Sequence, residues 1–101
     1  MASKYIPPAS VVSPKAYWSL IDVLDDQGPG KISVALGRWD NHPVLGMRWN
    51  GQDKSPIGNP QSRGLPTWFI MPGGNVSEAL IKELRPEKQA LVRNFIPKPT
   101  R

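Results

Sequence analysis

The chain has 101 residues, enough for one domain, and its 12 prolines disfavour a helical bundle. It has no cysteine, which excludes disulfides and thiolate sites, and no apolar run approaches the ~20 residues that cross a bilayer. The net charge of +5 arises after residue 37 and suits either a polyanionic partner or an ordinary basic surface.

Both ends of the chain have the composition of tails. Residues 1–14 are rich in proline, serine and alanine and predict a flexible tail, and residues 97–101 predict a short basic tail. A single domain is therefore expected over residues 15–96. Because the N-terminus lacks the apolar centre of a signal peptide, we expect a cytoplasmic protein.

The segment YWSLIDVLDDQGPG (17–30) permits two interpretations. Its apolar residues have helical spacing, and Ser13-Pro14 would start a helix well. The same segment is rich in residues that favour strands and ends in a Gly-Pro-Gly turn, which is typical of a strand. Periodicity alone does not choose between helix and strand here.

The next two segments predict a hairpin. KISVALGRW (31–39) and PVLGMRWN (43–50) have strand patterns and are joined by a turn at Asp40-Asn41 or at Asn41-His42. Because side chains alternate between the two faces of a strand, each turn gives a different register. A turn at Asp40-Asn41 gives the hairpin one continuous apolar face, and we therefore favour it.

In that register the two faces of the hairpin differ strongly. The second face holds small residues such as Ala35, Gly37 and Gly46, with Trp39 and Arg48 at its edge. We expect this face to be open and the other to pack on the core. The apolar face carries Ile32, Val34, Leu36, Leu45, Met47 and Trp49.

A loop rich in glycine and proline follows the hairpin. Its prolines restrict the backbone and its serine and asparagine side chains can bond to it locally, so we expect residues 51–65 to be structured. PTWFIMP (66–72) then predicts a strand. Trp49 and one of Trp68 and Phe69 are expected in the core, since tryptophan can close a small sheet.

The C-terminal third predicts helical structure. NVSEALIKEL predicts a helix over about 76–84, capped by Asn75 or Ser77, with an apolar stripe on one face. At Pro86 the helix either kinks or gives way to a second helix. The stripe exceeds what one small sheet would cover, so we expect a homodimer. It comprises Val76, Leu80 and Leu84, with Leu91 and Phe95 beyond them.

No pattern of catalysis or metal binding is recognisable. His42 is the one histidine and falls at a turn, without a sequence signal for a nucleophile or an orienting group. Asp22, Asp25 and Asp26 lack the spacing of a calcium loop, and neither glycine-rich turn is a phosphate loop. We therefore expect a protein that is not an enzyme and has no cofactor or metal.

Binding is the function that remains. Unpaired bases stack on aromatic rings and guanidinium planes, while basic groups follow the phosphates. Small residues on the second face of the hairpin would let a flat base approach the sheet. The residues expected to bind nucleic acid are Trp39, Arg48, Arg63, Lys54 and Arg38.

The hairpin and the segments after it resemble the transcriptional positive-coactivator family of single-stranded-DNA-binding proteins. ISVALGRW, DNH and PVLGMR follow that family's pattern, and Ser-Arg-Gly at 62–64 falls at its basic-glycine step. The resemblance implies an α+β fold, a curved four-stranded antiparallel sheet followed by a helix, and a dimer formed through the helices. It also implies that residues 17–25 are a strand, that Trp39 stacks on bases, and that Arg48 and Arg63 are binding residues.

Two functions are thus expected from the sequence. The first is a non-catalytic protein that binds single-stranded nucleic acid, as an accessory factor in transcription or replication. The second is a protein–protein interaction module that uses the loop and the tryptophans. A small-molecule pocket behind the 51–65 loop is a third possibility. RWNG and GNPQSRG-PTWF also resemble a group of small bacterial proteins, which implies no function.

Overall fold

A computed structural model describes residues 5–96, so the predicted basic tail at 97–101 lies outside the described residues. The fold is α+β, as expected: an antiparallel four-stranded sheet of order β1-β2-β3-β6, a small hairpin of β4 and β5, and C-terminal helices. The elements are β1 Trp18–Asp26, β2 Ile32–Trp39, β3 His42–Trp49, β4 Gln61–Ser62, β5 Leu65–Pro66, β6 Phe69–Pro72, α1 Glu78–Lys82 and α2 Pro86–Phe95.

The β2–β3 hairpin has the register predicted from the sequence. Trp39 lies opposite His42, and the pairing continues without a shift to Ile32 opposite Trp49. Asp40 and Asn41 have φ angles of 49° and 69°, and this left-handed conformation gives a two-residue turn the twist that the strands require. The predicted turn and register are therefore confirmed.

The ambiguous segment before the hairpin is a strand. β1 pairs with β2 from Trp18 opposite Trp39, and its register shifts between Leu20 and Asp22 and again between Val23 and Asp25. Such bulges bend an edge strand and interrupt its row of free backbone groups, which makes pairing with another sheet less favourable.

The last strand of the sheet is shorter than predicted. Only Phe69–Pro72 pairs with β3, whereas the sequence favours a strand over 66–72. The cause is the preceding loop, because the N–H of Thr67 donates to the carbonyl of Pro60 at 3.0 Å. Residues before Phe69 therefore belong to the loop and its small hairpin.

The helices cover the apolar face of the sheet. Ser77 caps α1, its Oγ accepting a hydrogen bond from the N–H of Leu80 at 3.1 Å, and α2 begins as a separate helix at Pro86. Within residues 5–96 neither helix is long and apolar enough to span a membrane. The core on this side comprises Leu24, Val34, Leu36, Leu45, Val76, Ile81, Leu84, Val92 and Ile96.

The second face of the sheet is also covered, which corrects the expectation of an open face. Residues 5–14, here called the N-terminal strap, were assigned to a flexible tail, yet Val11 is fully buried against Trp18 and Trp68. The indole N–H of Trp68 donates to the carbonyl of Val11 at 2.8 Å. The sheet is therefore packed on both faces.

The small residues of the second face make room for tryptophan rings of the same chain. A Cβ added to Gly37 would lie 2.4 Å from Cη2 of Trp18, and one added to Gly46 would lie 3.1 Å from the ring of Trp68. A contact of 2.4 Å is too short for a Cβ atom, so a side chain at position 37 would force Trp18 or its neighbours to move. The small residues were expected to leave space for a base, but the rings of Trp18 and Trp68 fill that space.

Candidate nucleic-acid interface

Arg48 does not lie on an open face. It is only 2% exposed, its two terminal nitrogens donate to the carbonyls of Thr67 and Ile57, and its Cζ lies 5.9 Å from the ring centroid of Trp68. Burial lowers the pKa of the guanidinium from its ordinary value. The expectation of an accessible Arg48 was wrong because the strap, the loop and Trp68 cover the face from which it projects.

The carbonyls that Arg48 binds belong to the 51–65 loop and to the residues just after it. The loop folds back onto the end of β3, where Trp49 and Asn59 form an antiparallel bridge with backbone hydrogen bonds of 2.8 and 3.0 Å. Gly58, with φ of 70°, has no room for a side chain, because an added Cβ would lie 2.2 Å from the carbonyl oxygen of Trp49. Arg48 and Gly58 thus fix a loop that is structured, as the sequence predicts.

Trp39 is half-buried and forms an aromatic pair with Tyr17. The ring centroids lie 5.4 Å apart with an interplanar angle of 22°, and Tyr17 is 54% exposed. Trp39 also packs against the second core, which contains Trp18 and Trp68. The ring of Tyr17 is therefore exposed to solvent on one side and stacks on Trp39, which the second core holds in place.

A first groove lies beside this pair, where β1 meets the hairpin turn, and we call it the hairpin-end groove. Its volume is about 430 Å³. Its lining brings Arg38 of β2 close to Lys15, a residue that sequence analysis did not select. The residues that line it are Lys15, Ala16, Tyr17, Trp18, Ser19, Arg38, Asp40 and Asn41.

A second groove lies between the end of the strap and the β4–β5 hairpin, and we call it the strap groove. It has a volume of about 540 Å³ and combines two cations and three hydroxyls with the exposed apolar side chain of Leu65. Its lining includes Ser13, Lys15, Ser62, Arg63, Leu65 and Thr67. Lys15 lines both grooves, so the two adjoin.

The structure thus brings together three of the five residues selected from the sequence. Lys15 shares one groove with Arg38 and the other with Arg63, and Trp39 supports the tyrosine beside it. Arg48 is buried, and Lys54 lies in a separate shallow depression of about 230 Å³ on the turn at 52–55.

Sequence analysis missed Lys15 and Tyr17, which adjoin the segment assigned to a tail. The signal in the sequence was a lysine two residues before a tyrosine, and both stand just ahead of β1. Their importance arises from the turn before β1, in which the N–H groups of Tyr17 and Trp18 donate to the carbonyl of Pro14. This turn holds Lys15 at the junction of the two grooves.

The acidic residues weighed as metal ligands have other contacts. Asp26 accepts hydrogen bonds from the hydroxyl of Tyr5 at 2.8 Å and from the amide of Asn50 at 3.1 Å, and Asp22 pairs with Lys88 at 2.6 Å. Across residues 5–96, no three His, Cys, Asp or Glu side chains are grouped as metal ligands would be. His42 lies beside the turn, as predicted, and is exposed.

A second exposed feature is an aromatic patch at the other end of the sheet. Trp49 and Phe69 are 53% and 58% exposed, and the register of β3 with β6 places Phe69 opposite Met47. The expectation that Trp49 lies in the core was wrong: Trp49 is the last residue of β3 and packs with neither core. Trp68, one of the two alternatives for the other core position, is buried.

Comparison of the chain with protein-family models, with curated protein sequences and with solved structures finds no match. Functional inference therefore depends on the chemistry of the grooves and of the aromatic patch.

Proposed function

We propose that the protein binds single-stranded nucleic acid, without catalysis, along the hairpin-end groove and the strap groove. The observation that carries the proposal is the junction at Lys15, where two adjoining grooves with basic linings meet an exposed aromatic ring. Lys15 and Arg63 suit the phosphates, and Tyr17 offers its ring to a base. The proposed setting is the cytoplasm, with an accessory role in transcription or replication.

The preference for a single strand follows from the aromatic ring. A base within a duplex is already stacked on its neighbours, whereas an unpaired base can stack on a protein ring, which contributes about 1–3 kcal/mol per base. Trp39 supports Tyr17 from the protein side, so the ring needs little ordering when a base arrives. Cations in the two grooves add an attraction that does not depend on sequence.

The resemblance to the coactivator family supports this proposal at two positions. It implies base stacking by Trp39, which stacks on the exposed Tyr17, and a binding role for Arg63, which lines the strap groove. The resemblance also implies a binding role for Arg48, but that side chain is buried and is not part of the proposed interface. The proposed interface is therefore displaced from the sheet face to the strap and the end of the hairpin.

Fluorescence anisotropy with labelled single-stranded and duplex oligonucleotides at two salt concentrations tests the proposal. We expect the single strand to bind more tightly, with affinity falling steeply as salt rises because counterions are released. Equal affinity for the duplex would contradict the role of Tyr17. Binding that does not respond to salt, or no binding, would contradict the role of the grooves.

Paired variants locate the interface. Tyr17→Ala removes the stacking ring and is expected to weaken single-strand binding at least several-fold, whereas Tyr17→Phe keeps the ring and the affinity. Arg63→Asn removes a cation while retaining a residue type that tolerates the φ of 53° at this position. It should reduce the slope of log affinity against log salt by about 0.7. Lys54→Gln is the charge-matched control and should leave the slope unchanged.

We also propose a homodimer that forms through the aromatic patch. The helix stripe that suggested a dimer is largely covered within one chain: Val76 and Leu84 are buried and Leu80 is partly buried. The exposed rings of Trp49 and Phe69 support a contact at the other end of the sheet instead. Aromatic side chains bury 150–250 Å² each, so half-exposed rings offer roughly 200 Å² per copy. A standard interface needs about 800 Å² per partner, so we expect a weak dimer.

Sedimentation tests this dimer. Its mass should rise with concentration into the hundred-micromolar range, and Trp49→Gln should abolish the rise. Tyr17→Ala, which removes another exposed aromatic ring, is the control and should dimerise normally. A chain that sediments as a monomer throughout would contradict the proposal.

A protein–protein interaction module is the second candidate function, and the same aromatic patch supports it, since tryptophan is a common anchor of protein interfaces. The response to salt separates the two functions, because an apolar contact does not weaken as salt rises. A partner protein whose binding is lost in Trp49→Gln and retained in Tyr17→Ala would favour this second function.

A further inference from the structure

The hairpin-end groove contains a carboxylate that a purely electrostatic site for phosphates does not need. Its lining combines the cations Lys15 and Arg38 with the acidic side chain of Asp40 and the amide of Asn41. A carboxylate repels phosphates, so its presence weakens simple backbone binding. The same carboxylate is useful if the groove receives a base that presents hydrogen-bond donors.

Among the four bases of DNA, guanine matches this set of side chains best. Its Watson–Crick edge places the N1–H and the N2 amino group side by side, and the two oxygens of one carboxylate can accept from both. Its O6 and N7 accept from an arginine, which is the commonest specific contact to guanine. Adenine, cytosine and thymine each lack two adjacent donors on that edge.

Asp40 and Arg38, which both line the groove, each have a contact that restricts their movement. Asp40 occupies the first position of the tight hairpin turn, and its backbone N–H donates to the carbonyl of Tyr17 at 2.8 Å. The guanidinium of Arg38 lies over the ring of Phe95, with Cζ 5.2 Å from the ring centroid. The volume of about 430 Å³ lies within the range of small-ligand sites. Tyr17 lines the same groove, and its exposed side chain can stack on a base.

We propose that the hairpin-end groove selects an unpaired guanine, with Asp40 accepting from its N1–H and N2 amino group and Arg38 donating to its O6 or N7. This inference rests on the proposed binding of single strands and adds a base preference to it. Asp40 and Arg38 are specificity-determining residues in this proposal, whereas Lys15 and Arg63 contact the backbone.

The test uses labelled thymine-rich single strands of one length that differ only at a central position. Wild-type protein should bind the strand with a central guanine about tenfold more tightly than those with adenine, cytosine or thymine. A central inosine keeps N1–H and O6 but lacks the N2 amino group, and its affinity should fall between these values. Equal affinity for all five strands would overturn the guanine inference and leave single-strand binding intact. Absence of binding to every strand would overturn both proposals.

The Asp40→Asn variant tests the carboxylate directly. Asparagine suits the left-handed turn position at least as well as aspartate, so the hairpin is retained. The preference for guanine should disappear, and affinity for the other strands should stay equal or rise because a negative charge is removed. Glu83→Gln, the same chemical change at an exposed position outside the groove lining, should keep the full preference. A guanine preference that survives in Asp40→Asn would overturn the proposal.

Discussion

Replacing Arg48 with methionine is the sharpest test of how the loop is held. Methionine is unbranched and fills much of the same space, but it removes the charge and both hydrogen bonds to the carbonyls of Thr67 and Ile57. We expect the variant to fold with reduced stability and with a loop that opens more readily, because two backbone acceptors lose their charged donor.

The size of the effect follows from the contacts. A hydrogen bond to a charged group contributes about 1.5–3 kcal/mol, so two such bonds give roughly 3–6 kcal/mol. Burial of the charge offsets part of this, since desolvation disfavours the guanidinium, as its lowered pKa indicates. A net loss of about 3 kcal/mol remains, which lowers Tm by roughly 12–24 °C for a domain of this size.

Thermal unfolding and amide hydrogen exchange measure this loss. Exchange should accelerate at the N–H groups of Trp49 and Asn59, which bond across the base of the loop. Lys54→Met, an exposed cation in the same loop, is the control and should change stability by no more than about 0.5 kcal/mol. An Arg48→Met protein that melts like the wild type and yet binds single strands with a shallower salt slope would refute this reasoning. It would instead identify Arg48 as a phosphate contact.

Two further predictions concern packing and pH. Gly37→Ala should destabilise the fold by about 1–3 kcal/mol, because the new methyl group meets the ring of Trp18, whereas Gly74→Ala should cost little because its Cβ meets nothing within 4 Å. The hydrogen bond from Arg93 lowers the pKa of Glu78 in the folded protein below the ordinary glutamate pKa of 4.5. The stability that this pair supplies is therefore fully present above pH 4.5, and it is lost as the pH falls through the lower pKa of the folded state. The difference in Tm between wild type and Glu78→Gln, followed from neutral to acidic pH, should therefore shrink only below that ordinary value. A difference that does not depend on pH would contradict the ion pair.

The hairpin could be predicted in detail because its determinants are local. Alternation of apolar and small residues over 31–50 admits one register that separates the faces, and Asp40-Asn41 suits the turn that this register needs. The N-cap of α1 is a similarly local signal: of the two predicted caps, Asn75 and Ser77, the structure has Ser77.

What covers each face could not be predicted, because that depends on residues far apart in the chain. The second face is closed by Val11 and Trp68, which are 57 positions apart and joined by one hydrogen bond. Alternation shows that Arg48 shares this face with Ser33 and Ala35, but not that loop carbonyls would reach it. The error at Arg48 and the omission of Lys15 have this common cause, since both depend on where the strap and the loop pack.

The most direct test of the proposed interface is an NMR titration of the protein with a short thymine-rich strand that contains one guanine. The account predicts that amide shifts will concentrate at residues 13–19, 38–42 and 61–67, which line the two grooves and the aromatic pair. Shifts centred instead on Trp49 and Phe69, or on the turn at 52–55, would contradict it, as would a spectrum that does not change on addition of the strand.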